Sequence, residues 1–129
     1  MNKVVLVMSC CAALVIGLLP GPALANHRPV SYCSPTGDYC QSAARNPRGA
    51  RVLLFESFAH RGKVRVCVNA PTNGRACVQG RFRDANNDGV FAIRLKWKKH
   101  FPNEGPGAYT VVWRQNGSRT GKKLGFHRG

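Results

Sequence analysis

Three stretches of this chain alternate apolar and polar residues with a period of two. They read KVRVCVN over residues 63–69, RACVQGRFR over 75–83 and GVFAIRLKWK over 89–98. Successive side chains of a β-strand point to opposite faces, so this pattern predicts strands with one face on a core. Elsewhere in residues 26–129, Gly, Pro and Asn separate short Val-rich and aromatic runs, and no helical period is sustained. The pattern predicts an all-β sandwich or barrel, and we expect an antiparallel sandwich.

The apolar sides of these stretches predict the core. In the third stretch they form one stripe of large residues, and the first stretch contributes three valines: Phe91, Ile93, Leu95 and Trp97, with Val64, Val66 and Val68. Further strands are expected over residues 39–44 and 50–58, around Tyr109 and near Leu124. The total is about seven strands.

Residues 1–25 have the features of a secretory signal peptide. Lys3 precedes an apolar run over residues 4–19, and Ala23-Leu24-Ala25 forms a small-x-small cleavage site. We therefore expect a secreted, extracellular protein with a single β-sandwich domain over residues 26–129. No second apolar run approaches the roughly 20 residues of a membrane helix, so no transmembrane segment is expected in the mature chain.

Four cysteines lie outside this leader, and an even count in a small exported chain predicts two disulfides. If the first two alternating stretches pair as a hairpin, Cys67 and Cys77 lie side by side on its outer face. That register favours a Cys67–Cys77 bond and leaves Cys33 to pair with Cys40. Four cysteines permit three connectivities, so the other two pairings stay open. No C-x-x-C zinc spacing occurs, and no cofactor is expected.

The chain outside the leader is strongly basic. It carries nineteen Lys and Arg against five Asp and Glu, a net charge of +14. Such a charge attracts anionic polymers and surfaces, although it also keeps a protein soluble. If residues 75–98 form one hairpin, its outward side is a cationic face. The residues predicted for that face are Arg75, Arg81, Arg83, Arg94, Lys96 and Lys98.

The loop DANNDG resembles the beginning of a calcium-binding loop. Asp84, Asn86 and Asp88 occupy alternate positions before Gly89, which makes them a weak calcium candidate. The twelfth position of such a loop needs a bidentate Glu, but Leu95 stands there. Asn, Asp and Gly are also the residues that a β-turn requires. The turn is the favoured interpretation, and no metal site is predicted with it.

The segment GPGAYTV, which contains Tyr109, resembles the beginning of a late strand in immunoglobulin-like and fibronectin type III-like domains. The resemblance implies an immunoglobulin-like sandwich in which the Tyr109 hydroxyl bonds back to the main chain. Val111 stands where the immunoglobulin cysteine would be, so the hallmark disulfide between the sheets is not expected. The chain as a whole resembles small secreted actinobacterial proteins without an assigned activity.

These features predict a monomeric, non-enzymatic binding module. The expected partner is an anionic cell-envelope polymer or an acidic protein. Specific nucleic-acid binding is not expected, because the aromatic residues alternate toward the core. One alternative is a small basic secreted hydrolase of ribonuclease type that uses Glu56, His60 and Lys63. In the favoured interpretation Glu56 instead pairs with an arginine. Another alternative is an inhibitor of a secreted enzyme that acts through the loop over residues 69–75.

Overall fold

The computed structural model describes residues 28–101 and 103–129. It contains eight strands and one helical turn. In chain order these are β1 (Ser31–Cys33), β2 (Tyr39–Ser42), β3 (Val52–Ser57), β4 (Lys63–Asn69), β5 (Arg75–Arg81), β6 (Phe91–Lys96), α1 (Trp97–His100), β7 (Gly107–Gln115) and β8 (Ser118–Arg128).

The strands form two antiparallel sheets of four strands. Sheet I has the order β1-β2-β3-β6, and sheet II has the order β5-β4-β7-β8. The predicted all-β sandwich is therefore confirmed, with eight strands instead of about seven. The additional strand is β1, whose three residues are too few to show a period in the sequence.

The core lies between the two sheets, as the alternation predicts. Val64, Val66 and Val68 of β4 are at most 4 % exposed, and Ile93, Leu95 and Trp97 at most 7 %. Phe91 packs at the margin of this core and is partly buried. The aromatic rings meet across the sandwich. Those of Phe55 in sheet I and Trp113 in sheet II have centroids 5.3 Å apart.

Both predicted disulfides are present. Cys33 bonds to Cys40 across β1 and β2, and Cys67 bonds to Cys77 across β4 and β5. In each case the two cysteines are direct partners in the strand register. This confirms the inference that β4 and β5 form a hairpin.

The predicted hairpin over residues 75–98 is wrong. β5 lies at the edge of sheet II and β6 at the edge of sheet I, so the loop between them crosses from one sheet to the other. The only ladder contact between their flanks is an isolated bridge between Arg83 and Ala92. Strand β6 also ends at Lys96, and Trp97 begins α1 while keeping its side chain in the core.

Tyr109 anchors the segment that leads into β7. Its hydroxyl donates a hydrogen bond to the carbonyl oxygen of Gly105 at 2.7 Å and accepts one from the Glu104 N–H at 3.2 Å. The side chain is 1 % exposed. The buried ring therefore fixes the loop that precedes the strand.

The predicted signal peptide, residues 1–25, lies outside the described residues. Within the described ranges, no helix has the length and apolar character needed to cross a membrane.

We expect the double substitution C67A/C77A to lower the free energy of unfolding by about 3 kcal/mol, because the bond restricts the unfolded chain. The matched double substitution C33A/C40A should lower it by less. Its loop is shorter, with a separation of 7 residues against 10, and Cys33 is exposed whereas Cys67 is 2 % exposed. Urea unfolding measures both variants. The reverse order would contradict this account.

Candidate functional site

Cationic side chains are concentrated on the outer surface of sheet II. On β4 the three valines point into the core, so the alternating residues Lys63 and Arg65 point outward. The strand register extends this surface to residues opposite them on the neighbouring strands. We call this surface the basic face, and it consists of Lys63, Arg65, Arg75, Arg81, Arg114 and Arg119.

Like charges are direct neighbours on the basic face. Arg65 of β4 pairs with Arg114 of β7, and Arg114 also pairs with Arg119 of β8. Lys63 similarly pairs with Arg81 of β5. Because neighbouring strands lie about 4.8 Å apart, the three arginines form a row roughly 10 Å long across the sheet. Like charges directly opposite one another destabilise a sheet, so this row opposes folding.

A disulfide bond cross-links two strands of the basic face. Cys67 and Cys77 lie on the outer face of sheet II, where Cys67 is buried, and their bond ties β5 to β4 beside Arg65. Arg114 is half-buried, while Arg65 and Arg119 are exposed. The backbone positions of these arginines are therefore fixed at the spacing of the strands, and their side chains extend toward solvent.

The six residues predicted for a cationic face are distributed over both sheets. Arg75 and Arg81 belong to the basic face, and Arg83 follows β5 at the bridge to Ala92. The other three lie on sheet I or on α1: Arg94, Lys96 and Lys98. The predicted single stripe is wrong in its arrangement because β5 and β6 belong to different sheets. A binding role for any of the six stays a prediction.

Sequence reasoning missed the central row of the basic face. The turn Asn116-Gly117 is present, with φ of 51° and 80°, as expected for a tight hairpin. That two-residue turn alone indicates that Arg114 and Arg119 are opposite each other. The neighbour Arg65 depends on the order of strands in the sheet, which no local pattern reveals.

The loop DANNDG forms a turn that its own aspartates close. The two carboxylate oxygens of Asp84 accept hydrogen bonds from the N–H groups of Asp88 at 3.1 Å and Gly89 at 3.0 Å. The Asp88 carboxylate accepts one from the Val90 N–H at 2.9 Å. Desolvation raises the pKa of Asp84, but these backbone N–H groups outweigh it and hold the pKa below its usual range. The side chains of Asp84 and Asp88 thus stabilise the turn by accepting hydrogen bonds from its backbone.

A cavity of about 350 Å³ lies beside this loop, at the Ser57 end of β3. Its lining includes Asp38, Glu56, Asn86 and Asp88, together with Arg83. Hydroxyl groups, first that of Ser34 and then that of Thr36, lower the pKa of Asp38. Over residues 28–101 and 103–129, no group of three or more His, Cys, Asp or Glu is placed to hold a metal ion. Calcium binding by the weak candidate Asp84, Asn86 and Asp88 stays an untested alternative.

Glu56 and Lys63 lie on different sheets. Glu56 is exposed on β3 and lines the cavity of about 350 Å³, which Arg83 also lines. The expected pairing of Glu56 with an arginine stays a prediction. The Nδ1 atom of His60 is 2.8 Å from the buried Ser57 hydroxyl, and its ring packs 5.0 Å from Tyr39. Lys63 points outward from sheet II. The structure therefore does not assemble these three residues into an acid–base site.

The loop proposed for enzyme inhibition is a short, internally bonded turn. The Ala70 N–H donates to the Gly74 carbonyl oxygen at 2.8 Å, and the Thr72 hydroxyl donates to Glu104 at 2.9 Å. The turn is exposed at Pro71, Thr72 and Asn73. An inhibitory role stays an untested alternative.

The fold and this surface define the class of protein: a disulfide-bonded antiparallel β-sandwich with a basic outer sheet. No protein-family model, curated protein or solved structure matches the chain.

We expect Arg114→Gln to stabilise the fold by about 0.5 kcal/mol at low salt, because it removes a charge that has like-charged partners on two strands. The gain should shrink as added salt screens the repulsion. Arg94→Gln is the matched control, since the partner of Arg94 on β3 is the uncharged Leu54. Urea unfolding at two salt concentrations measures both effects. Equal responses of the two variants would contradict the assigned repulsion.

Proposed function

We propose that this protein is an exported, non-enzymatic module that binds an anionic polymer of the cell envelope through its basic face. The row formed by Arg65, Arg114 and Arg119 carries the proposal. Three adjacent guanidinium groups repel one another in the free protein, and an anionic partner converts that repulsion into attraction. The destabilising arrangement is thus accounted for by a ligand that neutralises it.

The geometry of the basic face favours a polymer with repeated negative charges. The cations are spread along strands and across them, at a spacing of about 4.8 Å between strands. The cavities of about 350, 280 and 160 Å³ are lined by other residues. Arginine forks suit phosphate and carboxylate groups, so the candidates are teichoic acids or other acidic wall glycans. Binding of this kind is strongly dependent on salt.

Buried aromatic rings support recognition by charge over recognition of bases. Base stacking requires exposed aromatic side chains among the cations. Trp113, Tyr109 and Trp97 are 0 %, 1 % and 5 % exposed. The aromatic side chain that is well exposed in the described ranges, Phe58 at 60 %, belongs to the turn after β3 and not to a strand of the basic face.

Export and the type of sandwich form part of the same proposal. Two disulfides support an oxidising, extracellular location, in agreement with the predicted leader over residues 1–25. The hydrogen bond from the Tyr109 hydroxyl to the Gly105 carbonyl oxygen supports an immunoglobulin-like or fibronectin type III-like sandwich, because a tyrosine corner is characteristic of those domains.

The test uses linear polyphosphate as the probe and compares two triple variants that lose the same charge. R65Q/R114Q/R119Q removes the row, whereas R48Q/R94Q/K96Q removes three exposed cations elsewhere. At low salt we expect the first variant to bind at least about tenfold more weakly than the second. The slope of log K against log salt should also fall by about 2, as expected for three lost phosphate contacts.

Urea unfolding verifies that both triple variants are folded. If the two variants lose affinity equally, the net charge of the protein determines binding, and the proposed role of the basic face is wrong.

A further inference from the structure

A second group of cations surrounds a small cavity at the other end of sheet I. This cavity of about 160 Å³ lies at the Val52 end of β3, whereas the cavity of about 350 Å³ lies at the Ser57 end. We call it the basic pocket. Its lining is Arg45, Gly49, Ala50, Arg51, Trp97, Lys98 and Arg128. It shares no residue with the basic face.

Four cations converge on the basic pocket without a carboxylate among them. The backbones of Arg45 and Arg51 face each other in an isolated antiparallel β-bridge, and Arg128 is the last residue of β8. Among the described residues that line the pocket, none is acidic. Burial lowers the pKa of Arg51, and the charges of Arg45 and Arg128 lower it further. The pocket therefore contains repulsion between cations that a bound anion would relieve.

Arg51 is held in place before any ligand binds. Its guanidinium carbon lies 3.5 Å from the centroid of the Phe126 ring, and one of its nitrogens donates a hydrogen bond to the Ala43 carbonyl oxygen. The guanidinium group has five N–H donors, and one of them is used in the hydrogen bond to Ala43 that the described residues show, so others can bind a ligand. Stacking on an aromatic ring also reduces the conformational entropy that binding would otherwise consume.

Trp97 forms part of the wall of the basic pocket and gives it a natural reporter. Its side chain is 5 % exposed and packs into the core, where its ring centroid lies 5.1 Å from that of Phe126, the ring under Arg51. An anion that draws Arg51 and Lys98 together would therefore change the surroundings of this indole ring.

From this convergence we infer that the basic pocket binds one tetrahedral oxyanion group, a phosphate or a sulfate, through Arg45, Arg51, Lys98 and Arg128. A doubly charged group matches four cations better than a single carboxylate does, and its several oxygens can accept from several donors at once. The volume admits a group of this size. The inference does not depend on the proposed function of the basic face.

The test follows the two indole N–H resonances by nuclear magnetic resonance during titration with sodium phosphate at constant ionic strength. We expect the Trp97 resonance to shift and saturate, while that of the core residue Trp113 stays unchanged. Trp97→Phe assigns the signal. Lys98→Gln and Arg45→Gln should each weaken binding about tenfold, because each removes a charge-assisted contact. Arg119→Gln, on the basic face, should leave the affinity unchanged.

Further arms identify the source and the class of the anion. Tighter binding of glycerol 3-phosphate than of inorganic phosphate supports a phosphate borne on a larger molecule, and the reverse supports free phosphate. Tighter binding of sulfate than of phosphate supports a sulfate ligand. The inference is overturned if acetate shifts the Trp97 resonance with equal affinity, or if chloride alone reproduces the shift. Full affinity in both Lys98→Gln and Arg45→Gln would also overturn it.

Discussion

The packing of β4 and β7 against sheet I is the interaction on which the rest of this structure depends. The valines of β4 and the side chains of Tyr109, Val111 and Trp113 of β7 fill the space between the sheets, all at most 4 % exposed. Because side chains alternate along a strand, burying this set places every intervening residue on the outer face of the sheet, where Cys67 and Val112 are also buried. The burial of the core thus determines which charges reach solvent and where they lie.

The basic face is a direct consequence of that register. With Val66 opposite Trp113 in the core, Arg65 lies opposite Arg114 on the outer surface. The hydrophobic gain from burying these apolar side chains, about 1.5–3 kcal/mol each, exceeds the repulsion of about 0.2–1 kcal/mol between like charges across strands. A sandwich with this core can therefore tolerate a row of arginines on its outer face. In the proposed function, this row binds the anionic polymer.

Local patterning was sufficient to predict the strands other than β1, the buried stripe and both disulfides. The stripe from Ile93 to Trp97 is buried although its last member belongs to a helical turn, since burial requires only that the side chain reach the core. The strand partners were harder to predict. Residues 84–90 have the composition of a hairpin turn but connect two sheets, and turn chemistry does not distinguish these outcomes. For the same reason the sequence predicted one cationic stripe where the structure has two separate surfaces.

The basic pocket was beyond the reach of local patterning. Arg45 and Arg128 are 83 positions apart in the chain, and only the pairing of β7 with β8 and the position of β3 bring them together. The acidic residues show the same effect, because Asp38 and Asp88 come from two loops and Glu56 from β3, yet all three line one cavity. Charge is therefore segregated between the two ends of sheet I, although the sequence shows no blocks of like charge.

The most direct test of this account is the backbone register of β4 against β7, measured by nuclear Overhauser contacts in the free protein. The account predicts contacts between the backbones of Arg65 and Arg114 and between those of Val66 and Trp113. Contacts displaced by one residue, with Arg65 opposite Trp113, would contradict it. Such a slip moves Arg114 to the opposite face of the sheet, and both the core and the arginine row would then be lost.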